Sequence, residues 1–167
     1  VQTCALPISE ATQQTVGQTA AEAAVETITQ TGTAAITLSG STASVDGTGA
    51  TADGNTVTIT AGGTYTLTGT LDGQIIINAS KKDKVELVLN GVTITSSTSA
   101  AIYAEQADKT YITLAEGTVN TLTDASSYTY ADAQADEPNA ALYAKDDLTI
   151  RGSGTLTVYG NYQNGIS

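Results

Sequence analysis

The chain has 167 residues, enough for one domain with a sizeable core, yet it contains no Phe, Trp, Met or His. Six Lys and Arg face 17 Asp and Glu, a formal net charge of −11, which repels phosphate backbones and argues against nucleic acid and anionic lipid as partners. Lack of His removes the commonest general base, the usual zinc ligand and any Ser–His triad, and no apolar run is long enough for a transmembrane helix.

The first segment, Val1–Ile8, reads as the in-frame translation of a widely used short-read sequencing adapter, so it is excluded from fold reasoning. That exclusion takes the single cysteine, Cys4, out of any redox or catalytic argument. Residues 9–35 read as a low-complexity linker rich in Ala, Thr, Gln and Glu, with a helical turn as the alternative at Ala20–Glu26. An export signal or lipid anchor is expected upstream of this fragment.

From Ile36 onward the pattern has period two. Thr56–Thr60, Thr64–Thr68, Val85–Leu89, Val92–Thr95, Tyr111–Leu114, Leu148–Ile150 and Thr155–Val158 alternate polar and apolar residues. This is the signature of strands with one buried face. Val57, Ile59, Leu87, Leu89, Ile112, Leu114, Ile150 and Leu156 are therefore expected to point inward. Turn residues separate the runs at Ala61-Gly62-Gly63, Leu71-Asp72-Gly73, Asn90-Gly91 and Gly152-Ser153-Gly154. Asn90-Gly91 fits either a two-residue hairpin or a corner between two strands; in a corner, Gly91 takes the awkward dihedral.

A repeat helps to decide the architecture. Ala100-Ala101-Ile102-Tyr103-Ala104 returns as Ala140-Ala141-Leu142-Tyr143-Ala144, and a partial copy begins at Asn164-Gly165-Ile166-Ser167. The spacing is irregular, with an insertion at Asp124–Pro138. Short strands, Gly-marked corners and imperfect repetition predict an all-β fold, a right-handed parallel β-helix (solenoid) over 36–167, truncated at the C-terminus. A β-sandwich is the alternative.

The segments Thr64–Ile75, Val85–Thr93, Asn139–Thr149 and Gly160–Ile166 together resemble a family of bacterial extracellular carbohydrate-binding domains built on a right-handed parallel β-helix. The resemblance implies binding of plant cell-wall polysaccharide, cellulose or acidic pectin, by a calcium-containing protein outside the cell or anchored at its surface. That family is similar in structure to polysaccharide lyase family 9, in which calcium binds the uronate and a Lys removes the proton. Lys145-Asp146-Asp147-Leu148 matches a family motif, and Asn164 stands where Asp is common.

Asp146 and Asp147 are the candidate calcium ligands, with Asn161 and Asn164 as further oxygen donors. Their bland alternative is a solvated turn. Tyr103, Tyr143, Tyr159 and Tyr162 are candidate sugar-stacking residues, set against ordinary packing. Lys145 is the only cation beside the acidic pair, and flanking acids hold a lysine charged, which disfavours a base role. No catalytic residue is assigned. The expected function is calcium-assisted polysaccharide binding. The rivals are a pectate-lyase-like enzyme and a structural adhesin or ice-binding surface, the last suggested by the Thr-x-Thr arrays.

Overall fold

The computed structural model of the protein describes residues 11–15, 28, 30–130, 134–135 and 137–167. Val1–Ile8 and the helical turn considered at Ala20–Glu26 lie outside the described residues. Among those described, the chain is all β, with no helix.

The chain crosses two sheets in turn. Strand β2 (Gly32–Gly40) lies in the first sheet; after β3 (Thr42–Thr48) and β4 (Ala50–Asp53), β5 (Thr56–Ile59) lies in the second. The next pass is β6 (Gly63–Asp72) then β7 (Gln74–Asn78), and the third is β8 (Lys84–Thr95) then β9 (Ile102–Gln106). The fourth places β10 (Lys109–Leu114) and β11 (Val119–Thr123) in the first sheet and β12 (Ala140–Ala144) in the second. The fifth repeats this with β13 (Asp147–Gly152), β14 (Thr155–Tyr159) and β15 (Asn164–Ile166). Each of these strands other than β3 and β4 pairs in parallel with its counterpart in the adjacent pass.

The register explains the repeat. Ile102 pairs with Leu142, Tyr103 with Tyr143 and Ala104 with Ala144, and Leu142 pairs in turn with Ile166. Equivalent residues therefore stack on one another across β9, β12 and β15. The eight residues expected to point inward are all buried, most of them fully. Leu87 sits between Tyr65 on β6 and Ile112 on β10, as the alternation requires.

Not all pairing is parallel. β2 and β3 form an antiparallel hairpin closed at Gly40-Ser41, and β4 and β5 form another closed at Gly54-Asn55. Gly40 and Gly54 have φ of 76° and 58°, the left-handed conformation that short hairpin turns need. Both turn signals were present in the sequence but lie outside the cleanly alternating runs. The expected linker 9–35 also carries regular structure. β2 begins at Gly32, and β1 (Ala11–Thr15) pairs antiparallel with β14. Ala11-Thr12-Gln13-Gln14-Thr15 lacks alternating hydrophobicity, so period two could not reveal it.

Asn90-Gly91 closes no hairpin. Strand β8 runs through it and bends: its first half pairs with β10 and its second half with β11. The register against β6 shifts at the same place, between Leu67 and Gly69, and Gly91 has φ of 81°. Inside the bend, the fully buried Asn120 holds the backbone. Its Oδ1 accepts from the Gly91 and Val92 N–H groups at 2.9 Å each, and its Nδ2 donates to Thr118 Oγ1 at 3.0 Å and the Thr155 carbonyl at 3.3 Å.

A polar ladder crosses the other face of the first sheet. Glu86 accepts from Thr113 Oγ1 at 2.6 Å, from Thr64 Oγ1 at 3.1 Å and from Arg151 at 3.0 Å. The Arg151 guanidinium lies 4.3 Å from the centre of the Tyr111 ring. Burial alone would raise the Glu86 carboxyl. The donors Thr113, Arg151 and Thr64, with the Arg151 charge, outweigh it and hold the group below its usual range. A depressed carboxylate stabilises the fold above its unfolded pKa, and that stabilisation is lost as pH falls through the folded value. Glu86→Gln should therefore melt lower than the parent at pH ~7, and the gap should close on acidification below roughly pH 4, the ordinary carboxylate range. Thermal unfolding across that range checks this; a gap independent of pH would contradict it.

Candidate functional site

The stacked tyrosines lie beside a cleft over the second sheet. Tyr103 on β9 and Tyr143 on β12 have ring centroids 5.8 Å apart, tilted by 56°. Tyr143 is buried and Tyr103 half-buried, so only the Tyr103 ring remains open to a ligand. A cleft of about 360 Å³ opens here, lined by Gln74, Ile76 and Tyr103 from the strands and by Tyr130, Glu137 and Pro138 from the 124–138 insertion. The Tyr130 hydroxyl donates to the Pro138 carbonyl at 2.8 Å, which ties that wall to itself. Glu105 also lines the cleft.

Lys145 stands over the Tyr103 ring, its Nζ 5.9 Å from the centroid. Hydrogen bonding to Tyr103, then the nearby Glu137 and Glu105 carboxylates, hold the amine above its usual range. A lysine in that state keeps its proton, the opposite of what a proton-abstracting base requires.

The insertion is anchored at its start by a buried carboxylate. Asp124 Oδ1 accepts from the Asn161 N–H at 2.6 Å, Oδ2 accepts from the Tyr128 hydroxyl at 2.5 Å, and its carbonyl accepts from Asn161 Nδ2 at 3.1 Å. Burial pushes the Asp124 carboxyl up, and the donors Tyr128, Asn161 and Tyr162 oppose this without overcoming it. Tyr162 stacks on Tyr128 with centroids 4.5 Å apart and 22° between planes, and Tyr128 meets Tyr130 at 6.0 Å. Tyr162 thus packs into the run of rings that leads to the cleft wall. Tyr159 ends β14 opposite Thr123, 38% exposed and outside the cleft lining.

The four candidate calcium ligands fall at two corners. Asp146 lies in the corner before β13 and Asp147 opens that strand, both exposed, and Asp146 Oδ2 accepts from the Ala107 N–H at 3.2 Å. Asn161 lies in the corner between β14 and β15, and Asn164 opens β15. β13 and β14 lie between these corners, so the structure does not bring the four into one shell. Asn161 instead serves Asp124, and Asn164 Nδ2 donates to the Asn139 carbonyl at 3.3 Å. Among the described residues no group of three or more His, Cys, Asp or Glu could hold a metal. The acidic corner has a structural counterpart in earlier passes. Lys109 pairs with Asp147 and Lys84, so Asp83, Asp108 and Asp146 occupy equivalent places. In the two earlier copies a Lys follows the Asp, and Lys84 pairs with Asp108 at 2.7 Å. Only at Asp146-Asp147 does a second acid replace that Lys.

Sequence reading missed Asn120, Asp124 and Glu86. Asn120 and Asp124 share the inward parity of Leu122 within Val119–Asp124, so a polar residue on a buried parity was the available signal. Glu86 gave none, since an outward Glu is ordinary.

Comparison with known proteins agrees with this all-β, sugar-compatible arrangement. The profile of a family described as carbohydrate-binding domain-containing protein matches residues 53–167. A protein of that description from Acetivibrio thermocellus is 50% identical over 111 residues, which cover 66% of this chain and 39% of the relative. A solved structure, described as the polysaccharide lyase-like protein from C. thermocellum in a gadolinium derivative, superposes with a TM-score of 0.78 at 43% identity. That match covers 80% of this chain and 55% of the solved one, so the chain spans about half of its relatives' length or less. By the profile match over most of its length, the chain belongs to the carbohydrate-binding domain-containing protein family.

Proposed function

We propose that this chain is an extracellular or cell-surface polysaccharide-binding domain, wound as a right-handed parallel β-helix, that binds plant cell-wall polysaccharide with calcium's help. The observation that carries the reading is the half-exposed Tyr103 ring, seated on its in-register partner Tyr143 at the floor of a cleft, in a member of a carbohydrate-binding family. The alternation of the chain between two sheets of parallel strands supports the coiled reading.

Binding rather than lysis is favoured by Lys145, which its neighbours keep protonated. Tyr103 offers a flat apolar face with a polar edge, the combination that holds a sugar ring. The calcium reading rests on the −11 charge and on hard oxygen donors at Asp146 and Asp147. Two carboxylates are a partial fit to the ~6–8 oxygens calcium takes, and other donors must complete the shell. When bound there, calcium would bridge the corner to an anionic sugar.

Calorimetric titration of calcium into the parent and into Asp146→Ala and Asp147→Ala, with retention on cellulose and pectin before and after chelation, tests the proposal. Calcium binding should weaken at least 10-fold in each variant, and chelation should reduce retention on pectin. Variants that titrate like the parent would overturn the calcium assignment. Retention on neither polysaccharide would overturn the binding function.

A further inference from the structure

The cleft has a charge signature that separates two kinds of sugar. Among the described residues its lining holds two carboxylates, Glu105 and Glu137, and no Lys or Arg. The Lys145 ammonium, which stands over Tyr103 and feels both carboxylates, offsets one of these charges and leaves the described lining net negative. The remaining polar lining is neutral: the Gln74 amide and the hydroxyls of Thr98, Ser99 and Thr129. Gln74 is fixed by donating to the Ala100 carbonyl at 3.0 Å.

We propose that the Tyr103 cleft is a subsite for an uncharged sugar chain, and that Glu105 and Glu137 select against uronates there. This rests on the polysaccharide-binding reading and adds to it a ligand class and a place. The chemistry runs in both directions. Carboxylates are strong acceptors for sugar hydroxyls, because a charge-assisted O–H···O⁻ bond is shorter and stronger than a neutral one. The same carboxylates repel the carboxylate that every residue of a polyuronate carries, and the chain's net negative charge adds to the repulsion. The Tyr103 ring supplies the apolar face against which a pyranose packs. About 360 Å³ falls within the ~300–1,000 Å³ of small-ligand sites, so a short oligosaccharide segment fits. Neutral-sugar binding here needs no metal. An acidic polysaccharide, if held, is held at the Asp146–Asp147 corner through calcium. The two activities are thus separable on one protein.

The test uses the full chain with cellohexaose as the neutral probe and hexagalacturonate as the acidic one, each titrated in excess chelator. The parent should bind cellohexaose and bind hexagalacturonate at least 10-fold more weakly. Tyr103→Ala should lower cellohexaose affinity at least 10-fold. Glu105→Gln with Glu137→Gln should raise hexagalacturonate affinity several-fold and leave the thermal midpoint near that of the parent, since Glu105 and Glu137 are exposed. The double variant keeps the test decisive even if Tyr103→Ala fails to fold. Hexagalacturonate bound as tightly as cellohexaose in chelator, or an affinity ratio unmoved by the double variant, overturns the assignment. Retention on insoluble polysaccharide without any oligosaccharide binding at the cleft overturns this inference alone. Retention on none overturns the function as well.

Discussion

Asn120→Ala should lower the stability of the protein by about 4 kcal/mol. Asn120 is fully buried where β8 bends, and its side chain satisfies two backbone N–H groups, those of Gly91 and Val92. Removing it strands the buried Val92 N–H where water does not reach and takes the acceptor from the Gly91 N–H on an exposed residue; a buried orphan costs ~1–3 kcal/mol and the other lost bonds add to it. The Thr155 carbonyl loses its Asn120 donor as well, and the Thr118 hydroxyl loses the bond it accepts from Asn120 while still donating to the Ala115 carbonyl. For a chain of this size ~1 kcal/mol moves the midpoint by roughly 2–4 °C, so the loss should be about 8–16 °C. Asn120→Asp should lose less in acid, where the neutral carboxylic acid has both an acceptor and a donor, and more at neutral pH, where it buries a charge. Calorimetric melts at two pH values decide this. A parent-like midpoint for Asn120→Ala would mean that the bend holds itself.

Much of the fold was legible because period-two alternation is strong wherever one face of a strand is buried. The inward set was readable down to single residues, and the Ile102-Tyr103-Ala104 repeat marked places that stack in register. The two hairpins were harder. Ser39-Gly40-Ser41-Thr42 and Asp53-Gly54-Asn55-Thr56 are good turn sequences, but β3 and β4 carry small or exposed side chains without a clear apolar face. Strand β1 was illegible because the sequence Ala11-Thr12-Gln13-Gln14-Thr15 has no apolar alternation. Of the site, Tyr103 and Tyr143 could be placed together because they share a repeat position. The cleft could not, since part of its wall comes from Tyr130, Glu137 and Pro138 in an insertion without a repeat pattern. Asp146 and Asn161 are both oxygen donors at corners, only fifteen positions apart in sequence. Two strands, β13 and β14, consume that distance and carry the corners apart. Sequence proximity across two strands of a stack is a poor guide to spatial proximity, whereas identity of repeat position is a good one.

Leu87→Ala should cost about 3 kcal/mol, and Val119→Ala almost nothing, although both remove aliphatic atoms from the same sheet. Leu87 lies at the middle of the stack on β8, fully buried, with Tyr65 beside it on one neighbouring strand and Ile112 on the other. Truncation there removes contacts on both sides at once, and the flanking strands are pinned by their own backbone ladders, so the space cannot collapse. Leu→Ala changes in such sites cost ~2–5 kcal/mol through lost transfer energy and the cavity left behind. At roughly 2–4 °C per kcal/mol the expected fall in midpoint is about 6–12 °C. Val119, which begins β11, is 66% exposed, and a surface change of that kind stays within ~0.5 kcal/mol. The pair is a control on the direction of every side chain in the first sheet, because a register slip of one residue would exchange inward and outward sets. If Val119→Ala proved the more damaging of the two, the alternation that places Leu87 in the core would be inverted, and with it the outward position of Glu86 and its ladder to Arg151.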